Sequence, residues 1–280
     1  MQSESGLAPV QGGELYYEVT GEGTPLVLIH AGVADHTMWD AQVAAFAPHY
    51  RVIRYDMRGF GRSRTESCEF SNRQDLRDLL AHLGVKSAYV LGISRGGHIA
   101  LDFALEFPDQ VKGLILVAAG VGGYQLGDAV IPAEEQAMFD EMEQLLEAGE
   151  FDRLNEMEVH AFVNGPGQPA DRADPAVRAL IARLNRANYG REDGKATPLP
   201  LTPPAFERLA EVHVPTLVLI GDLDETVSVL MADALAKGIP GATKVAFPDV
   251  AHMVNLEQPE RFNHGVLGAL ERWSGGAGER

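Results

Sequence analysis

Residues 90–97, VLGISRGG, place a serine after an apolar run, with one glycine two residues before it and another two residues after it. This G-x-S-x-G spacing predicts a strand, a sharp turn at Ser94 and a helix that begins at once. A strained serine brings strand and helix so close together that side chains at Gly92 and Gly96 would collide. The turn exposes the hydroxyl group and directs the amide of Arg95 toward the same point, which is a geometry suited to acyl transfer.

A simpler interpretation is a glycine-rich turn whose serine only meets solvent, because the chain contains 30 glycines. The flanking residues favour the strained turn. Residues 87–91 resemble a short buried strand, and residues 97–107 have the apolar spacing of a helix that packs and then stops before Pro108.

Composition limits the class of protein. The chain has 280 residues, of which 45% are hydrophobic and 22% charged, as expected for a globular protein with a full core. Its net charge of −17 disfavours nucleic acid and anionic membrane surfaces as partners. The single cysteine, Cys68, excludes an intrachain disulfide, and we interpret it as a structural thiol. The polar N-terminus and the lack of a membrane-length apolar run predict a cytoplasmic protein.

Short apolar runs alternate with helical patterns along most of the chain. Continuous rather than alternating hydrophobicity indicates strands that are covered on both faces, which predicts an α/β protein with a mostly parallel sheet. Residues 15–20 have the pattern of an antiparallel edge strand. The other predicted strands are 25–30, 50–55, 88–92, 112–118, 216–220 and 243–247, and the predicted helices are 38–47, 72–83, 96–107, 227–237 and 259–273.

The alternation stops within residues 124–204, where apolar residues recur only at helical spacing. We therefore predict an all-helical insert at 124–204 between two parts of the core, 1–123 and 205–273, with a disordered tail at 274–280. Inserts at the carboxyl ends of parallel strands surround the ligand crevice, so this one is expected to cover it as a cap. The Met and Phe side chains of the insert are expected to form its own core, and some of them could instead line a substrate pocket.

A serine nucleophile needs a nearby base. His252 follows the last predicted strand, at the carboxyl edge of the sheet and on the same side as Ser94, and is the favoured candidate. His98 is a weaker alternative because it lies four residues beyond the serine on the same helix, where its ring should point into helix packing.

The base in turn needs a carboxylate to orient it. Asp222 and Asp224 both follow the strand at 216–220. Asp224 lies further into the loop and should reach over the edge of the sheet, so we favour it, with Asp222 as the alternative that more readily caps the turn or the next helix. The order Ser94, Asp224, His252 is the one expected for a nucleophile elbow.

Acyl transfer also needs two amide donors for the developing oxyanion. One is the N–H of Arg95. The second is expected in the loop after the strand at 25–30, where Gly32 would let the backbone approach a substrate closely. His30 is interpreted as holding this loop in place.

Five motifs in this order resemble landmarks of the α/β-hydrolase superfamily. They are VLGISRGG at 90–97, HAG at 30–32, DMRGFGRS at 56–63, GDLD at 221–224 and Ala251-His252. The resemblance covers about residues 25–122 and 214–273. The chain is most similar to small capped serine hydrolases such as 3-oxoadipate enol-lactonases, cofactor-free haloperoxidases and short-chain esterases.

The resemblance implies the same triad and oxyanion residues, and a structural role for the turn at 56–63. Two positions depart from the family pattern: Ala31 in the oxyanion loop, and the basic Arg95 after the nucleophile. The expected function is hydrolysis of a small ester, lactone or related acyl compound by a carboxylesterase or lactonase, with no cofactor and no metal. Carbon–carbon bond hydrolysis, perhydrolysis and a non-catalytic ligand receptor are the alternatives. An aspartate-nucleophile dehalogenase or epoxide hydrolase is disfavoured because the elbow carries a serine.

Overall fold

A computed structural model describes residues 3–191 and 196–275. Within these residues, eleven strands and nine α-helices follow one another along the chain. The strands are β1 (Ser3–Val10), β2 (Gly13–Thr20), β3 (Pro25–Ile29), β4 (Arg51–Tyr55), β5 (Arg64–Thr65), β6 (Glu69–Phe70), β7 (Ala88–Ile93), β8 (Val111–Val117), β9 (Thr197–Pro198), β10 (Thr216–Gly221) and β11 (Thr243–Phe247). The helices are α1 (Asp40–Phe46), α2 (Asn72–His82), α3 (Arg95–Glu106), α4 (Ala133–Ala148), α5 (Phe151–Val159), α6 (Pro175–Asn188), α7 (Thr226–Gly238), α8 (Val254–Glu257) and α9 (Pro259–Gly275).

The main sheet has the strand order β1-β2-β4-β3-β7-β8-β10-β11, and β5 pairs with β2 beside this path. From β4 to β11 every neighbouring pair is parallel, whereas β2 is antiparallel to both β1 and β4. Every residue of β7 and β10 is buried, because helices cover both faces of the sheet. The predicted α/β class with a mostly parallel sheet is confirmed.

The prediction of an edge strand at residues 15–20 is wrong. β1 pairs antiparallel with β2 along its whole length, from Ser3 opposite Thr20 to Val10 opposite Gly13, so β2 lies inside the sheet. β1 has no hydrophobic signal of its own because half of its residues are exposed, with Ala8 as its one buried side chain. Its register is set by the tight turn into β2 rather than by an apolar pattern.

The insert between β8 and β10 contains α4, α5 and α6. Gly149 ends α4 in the left-handed conformation, with φ of 71°, as its position after the apolar pattern predicts. A small apolar core joins α4 and α5, and its buried members are Met142, Leu145, Leu154 and Ala161. The buried apolar side chains of α6, Ile181 and Leu184, belong instead to the core of the sheet.

The insert is not wholly helical. Its return segment forms β9, which pairs in parallel with β6, and the N–H of Thr197 donates to the carbonyl of Cys68 at 2.9 Å. Prolines favour an extended backbone before them, and an extended segment beside β6 can form such a two-residue pairing.

The first two residues of the tail predicted at 274–280 are helical. Ser274 and Gly275 belong to α9, and the Ser274 hydroxyl lies 3.0 Å from the hydroxyl of Tyr89 and donates to the carbonyl of Leu270 at 2.9 Å. Residues 276–280 of the predicted tail lie outside the described residues. In the described part of the chain, no helix combines the length and apolarity needed to cross a membrane.

Candidate active site

The turn between β7 and α3 is strained at Ser94, which has φ of 56° and ψ of −118°. A positive φ is rare for a residue with a side chain and persists only where the surroundings hold it in place. Here the N–H of Ser94 donates to the carbonyl of Val117 at 2.8 Å, and the Ser94 carbonyl accepts from the N–H groups of His98 and Gly120 at 3.0 and 3.3 Å. The backbone on both sides of the serine is therefore fixed by β8 and α3.

Two glycines permit this close approach. A side chain at Gly92 would overlap the carbonyl of Gly96, and a side chain at Gly96 would overlap the carbonyls of Ile29 and His30. Both collisions expected from the sequence are therefore present. Because both positions are glycine, the start of α3 packs directly against β7 and the end of β3.

A buried acid–base pair lies in the loops that follow β10 and β11. The Nδ1 of His252 donates to Asp224, with distances of 2.9 and 3.0 Å to the two carboxylate oxygens. Asp222 is exposed, and among the described residues its side chain makes no hydrogen bond to His252; its backbone N–H donates to the carbonyl of Phe247. The structure thus brings Asp224, the favoured candidate, into contact with His252.

The carboxylate controls the ionisation of the imidazole. Burial alone would lower the pKa of His252, but the charge and hydrogen bond of Asp224, together with the charge of Glu225, outweigh burial and raise this pKa. Because Nδ1 donates to the carboxylate, Nε2 is left as the basic nitrogen of the neutral ring.

The loops that carry the pair lie side by side. A side chain at Gly221 would overlap the carbonyls of Val250 and Ala251, and the N–H of Leu223 donates to the carbonyl of Val250 at 2.9 Å. Since β7, β8, β10 and β11 are parallel neighbours, Ser94, Asp224 and His252 all follow carboxyl ends at one edge of the sheet.

The proposed oxyanion loop lies against the residue after the serine. A Cβ atom on Gly32 would lie 3.2 Å from Nε of Arg95. His30 holds this loop as predicted: its Nδ1 donates to the carbonyl of Ala31 at 2.7 Å, and its Nε2 accepts from the N–H of Met57 at 3.0 Å. Burial lowers the pKa of His30, which keeps the ring neutral for this pair of bonds.

The alternative base, His98, makes a different contact. Its Nε2 lies 3.3 Å from a carboxylate oxygen of Asp102, one turn further along α3. The ring also lies beside Gly122, where a Cβ atom would be 3.4 Å from Nε2. His98 therefore contacts a residue of its own helix, but 42% of its side chain is exposed, so the ring is not buried in helix packing as expected.

The turn at 56–63 is organised by the buried carboxylate of Asp56. This group accepts from the N–H of His36 at 2.8 Å, from the Nδ1 of His36 at 2.7 Å and from the N–H of Arg62 at 2.7 Å. These hydrogen bonds outweigh burial and lower the pKa of Asp56. A side chain at Gly61 would overlap the same carboxylate.

Asp56 also completes a cluster that sequence reasoning missed, since no metal-ligand spacing is visible along the chain. In the described part of the chain, one ligand atom from each of Asp35, His36 and Asp56 lies within 4.8 Å of the others. These atoms already serve the turn: Asp35 accepts from the N–H of Thr37 at 2.8 Å, and the His36 ring lies between Asp56 and Glu18. The chemistry of the cluster is that of a satisfied hydrogen-bond network.

A second group missed from the sequence ties the insert to the histidine loop. Nη2 of Arg172 lies 2.5 Å from Oε2 of Glu257, and its Nη1 donates to the carbonyl of Asp249 at 2.7 Å. The other oxygen of Glu257 accepts from the N–H of Ala251, next to His252, at 2.9 Å. The guanidinium also binds two carbonyls of the insert, at Val163 and Asn164.

The insert makes another contact beside the acid loop. Glu135, in the first turn of α4, accepts from the N–H and the hydroxyl of Thr226, both at 2.8 Å. Thr226 begins α7, two residues after Asp224. Glu135 is therefore an N-terminal cap supplied by a distant segment.

Two clefts flank the side chain of Arg95. One, of about 160 Å³, includes Phe60 and Phe70 in its wall, and the other, of about 350 Å³, includes His98 and Leu199. Asn72 and Pro198 line both. A depression of about 590 Å³ on α4 and α5 is larger, but none of the predicted site residues lines it, so volume alone does not locate the site.

A parallel sheet with a strained serine turn and a buried Asp–His pair at one edge defines a class of protein, the α/β-sheet hydrolases. Comparisons with known proteins agree. Residues 24–259 match the profile of the family described as alpha/beta hydrolase fold. A 2-hydroxy-6-oxononadienedioate/2-hydroxy-6-oxononatrienedioate hydrolase of Burkholderia vietnamiensis is 30% identical over 272 residues, which span 92% of this chain and 91% of that protein.

Solved structures show the same relationship. A thermophilic esterase of Thermogutta terrifontis superposes with a TM-score of 0.77 at 26% identity, covering 98% of this chain and 99% of the esterase. The enol-lactonase of Burkholderia xenovorans superposes with a TM-score of 0.71 at 26% identity, covering 95% of this chain and 100% of the lactonase. The chain belongs to the α/β-hydrolase family and is a hydrolase of that fold.

Proposed function

We propose that this protein is a serine hydrolase that cleaves a small ester, lactone or related acyl compound. The observation that carries the proposal is the buried Asp224–His252 pair, which follows β10 and β11 at the same carboxyl edge of the sheet as Ser94. A serine in a strained turn becomes a useful nucleophile when such a pair can take its proton.

In the proposed reaction, Nε2 of His252 accepts the proton of Ser94 as the hydroxyl oxygen attacks the acyl carbon. The backbone N–H groups of Gly32 and Arg95 donate to the resulting oxyanion. The imidazolium then protonates the leaving alcohol as the bond to the acyl carbon breaks, which leaves an acyl group on Ser94. A water molecule, deprotonated by His252, releases the acid and restores the serine. Each step uses groups of the chain, the substrate and water.

We place the insert as a cap over this site. The ring of Phe162, from the insert, lies 5.1 Å from the ring of His252, centroid to centroid. Arg172 joins the insert to the histidine loop. The partner we propose is accordingly a small molecule that fits beneath these helices, while the net charge of −17 disfavours nucleic acids and anionic membranes.

Covalent labelling tests the proposed nucleophile. A fluorophosphonate should add one adduct to the wild-type protein, located at Ser94 by peptide mass spectrometry. Ser94→Ala should prevent the adduct and abolish hydrolysis of a 4-nitrophenyl ester without lowering the melting temperature. Ser87→Ala, a serine-to-alanine change just before β7, is the matched control and should still label. Retention of most activity by Ser94→Ala would refute the mechanism, and slow labelling of the wild type would favour a non-catalytic receptor.

A carbon–carbon bond hydrolase is the second candidate, favoured by one observation. The relative that is 30% identical over 92% of this chain is named for hydrolysis of 2-hydroxy-6-oxononadienedioate. The same serine, histidine and aspartate would serve that reaction. Incubation with this compound, followed by loss of its conjugated absorbance, separates the two candidates: cleavage faster than that of any ester or lactone tested would replace the ester assignment.

A further inference from the structure

Arg95 contributes its backbone to the proposed oxyanion hole, but its side chain has a separate environment. Its Nε lies 3.2 Å from the position that a Cβ on Gly32 would occupy. Its guanidinium carbon lies 5.6 Å from the centre of the Phe60 ring. Pro198, from the return segment of the insert, lines both clefts together with Arg95. The cation is therefore bordered by the oxyanion loop, the 56–63 turn and the insert.

Among the residues that the structure describes, this cation has no carboxylate partner. Within residues 3–191 and 196–275, no carboxylate forms a hydrogen bond or an ion pair with the Arg95 guanidinium. Other arginines near these clefts are paired. Arg58 donates from Nε and Nη2 to the two carboxylate oxygens of Asp75, at 2.6 and 2.9 Å, and Arg73 pairs with Glu106. Arg95 is thus an exception among the cations that border the two clefts.

The surroundings of Arg95 make an anionic ligand favourable. Arg95 is exposed, so its guanidinium is open to a ligand that enters either cleft, and arginine stays protonated in proteins. Charge-assisted hydrogen bonds to an anion are stronger than neutral ones, so a cation without a carboxylate partner among the described residues favours an anionic ligand. The net charge of −17 repels anions from the protein as a whole, so an anion that enters needs a local cation of this kind.

We propose that the Arg95 guanidinium binds a carboxylate carried by the acyl substrate. The substrate class is then an ester, lactone or oxo compound with a free carboxylate on its acyl part. The planar guanidinium can bind both carboxylate oxygens. Arg95 directly follows Ser94, and its side chain lies against Gly32 of the proposed oxyanion loop. The adjoining cleft of about 350 Å³ has room for such a chain. This inference rests on the proposed hydrolytic function of Ser94.

A matched pair of substrates measures the effect. Monomethyl glutarate and methyl pentanoate have acyl chains of the same length and differ in a terminal carboxylate, and acid release in a pH-stat gives kcat/KM for each. The wild type should prefer the half-ester. Arg95→Met should lower the ratio of the two kcat/KM values by about 10- to 100-fold, the scale of a lost charged hydrogen-bond pair. A general loss of activity through the Arg95 backbone would cancel in this ratio.

Two further variants define the cause. Arg95→Lys keeps the charge without the fork and should retain part of the preference. Arg153→Met removes one positive charge from an exposed position on α5 and should leave the ratio unchanged. A ratio that is the same in Arg95→Met as in the wild type, or that falls equally in Arg153→Met, overturns the proposal.

A binding measurement separates this proposal from the hydrolytic one. Glutarate is titrated by calorimetry into Ser94→Ala and into Ser94→Ala/Arg95→Met, neither of which needs to turn over. The affinity should fall about tenfold or more when Arg95 is replaced. Equal affinity, or no binding to Ser94→Ala, refutes the role of Arg95 even where esters are cleaved. Binding that depends on Arg95, in a protein that cleaves neither ester, refutes only the hydrolytic function.

Discussion

The carboxyl edge of the sheet and the helical insert both supply groups around the proposed site, but they do so in different ways. At the sheet edge, each proposed catalytic residue lies within a few positions of a strand end: Ser94 after β7, Asp224 after β10 and His252 after β11. The insert acts through Arg172 and Glu135, whose partners are distant in sequence. The proposed catalytic residues are therefore positioned by local backbone geometry, whereas the contacts that support their loops join segments that are distant in sequence.

The burial of the two sets of contacts is nevertheless similar. The Asp224–His252 pair is almost wholly buried, and the Arg172–Glu257 pair is only slightly more exposed. The difference lies in what each pair does. Asp224 acts on the ring of His252 directly, while Arg172 acts on the loop that carries the ring, so the two should differ in how strongly they affect the rate and the stability.

The largest effect is expected at the sheet edge. Asp224→Asn should lower kcat for a 4-nitrophenyl ester by about 10⁴-fold, because an amide can hold the imidazole in the wrong tautomer. Steady-state kinetics at a fixed pH provide the measurement. Asp222→Asn is the matched control two residues away on an exposed side chain and should stay within about twofold. Equal losses in both variants would contradict the assignment of the acid.

Breaking the Arg172–Glu257 pair, which links the insert to the histidine loop, should have an intermediate effect. Arg172→Met leaves the Glu257 carboxylate without its cation and should lower the free energy of unfolding by about 3 kcal/mol. The loosened histidine loop should also reduce kcat by about tenfold. Urea unfolding and ester kinetics measure the two quantities.

The control for this link is Arg153→Met, which breaks exposed ion pairs and should change the free energy of unfolding by less than about 1 kcal/mol. Adding Glu257→Gln to Arg172→Met should recover part of the stability, because the unpaired charge is then gone. A normal kcat in Arg172→Met would mean that the insert stabilises the fold without positioning His252.

The pH dependence tests the electrostatics of the sheet edge alone. His252 must be neutral to accept a proton, so kcat/KM rises as pH increases through its pKa. Since Asp224 raises this pKa, the rising limb should lie above the ordinary histidine value of 6.5. In Asp224→Asn, burial becomes the main influence on the pKa of His252 and lowers it. The rising limb of kcat/KM should therefore move to lower pH by about one unit or more. A limb below 6.5 in the wild type would contradict the raised pKa.

The smallest effect is expected where the insert caps α7. Glu135→Gln weakens the hydrogen bonds to the backbone and hydroxyl of Thr226 and should lower the free energy of unfolding by about 1 kcal/mol. Glu134→Gln makes the same change on the exposed neighbouring residue and serves as the control. If both variants unfold at the same urea concentration, this contact does not stabilise the protein.

Much of the sheet edge was predictable because its signals are local. A continuous apolar run predicts a buried parallel strand, as for β7, which is predicted at 88–92 and observed at Ala88–Ile93 with every residue buried. The glycines around Ser94 predict the collisions that the structure contains. By contrast, the polar strand β1 has no apolar pattern, because it is exposed and held by pairing with β2.

The contacts that support the site could not be predicted from the sequence, because they join residues that are far apart along the chain. Arg172 and Glu257 are 85 residues apart, and each resembles an ordinary surface charge in the sequence. The cluster of Asp35, His36 and Asp56 was missed in the same way, because folding brings its members together from separate segments. Neither arrangement has a periodicity or a spacing that a linear pattern could display.

The amino-acid sequence alone is sufficient for the fold class, the strained turn at Ser94 and the order of a serine, an acidic loop and a histidine along the chain, because strand burial and tight turns depend on neighbouring residues. Tertiary packing was needed to show that Asp224 rather than Asp222 meets His252, that Arg172 joins the insert to the histidine loop, and that Arg95 has no carboxylate partner among the described residues. Pairing of charges depends on distances across the folded chain, and these exist only after the sheet and the insert have packed together.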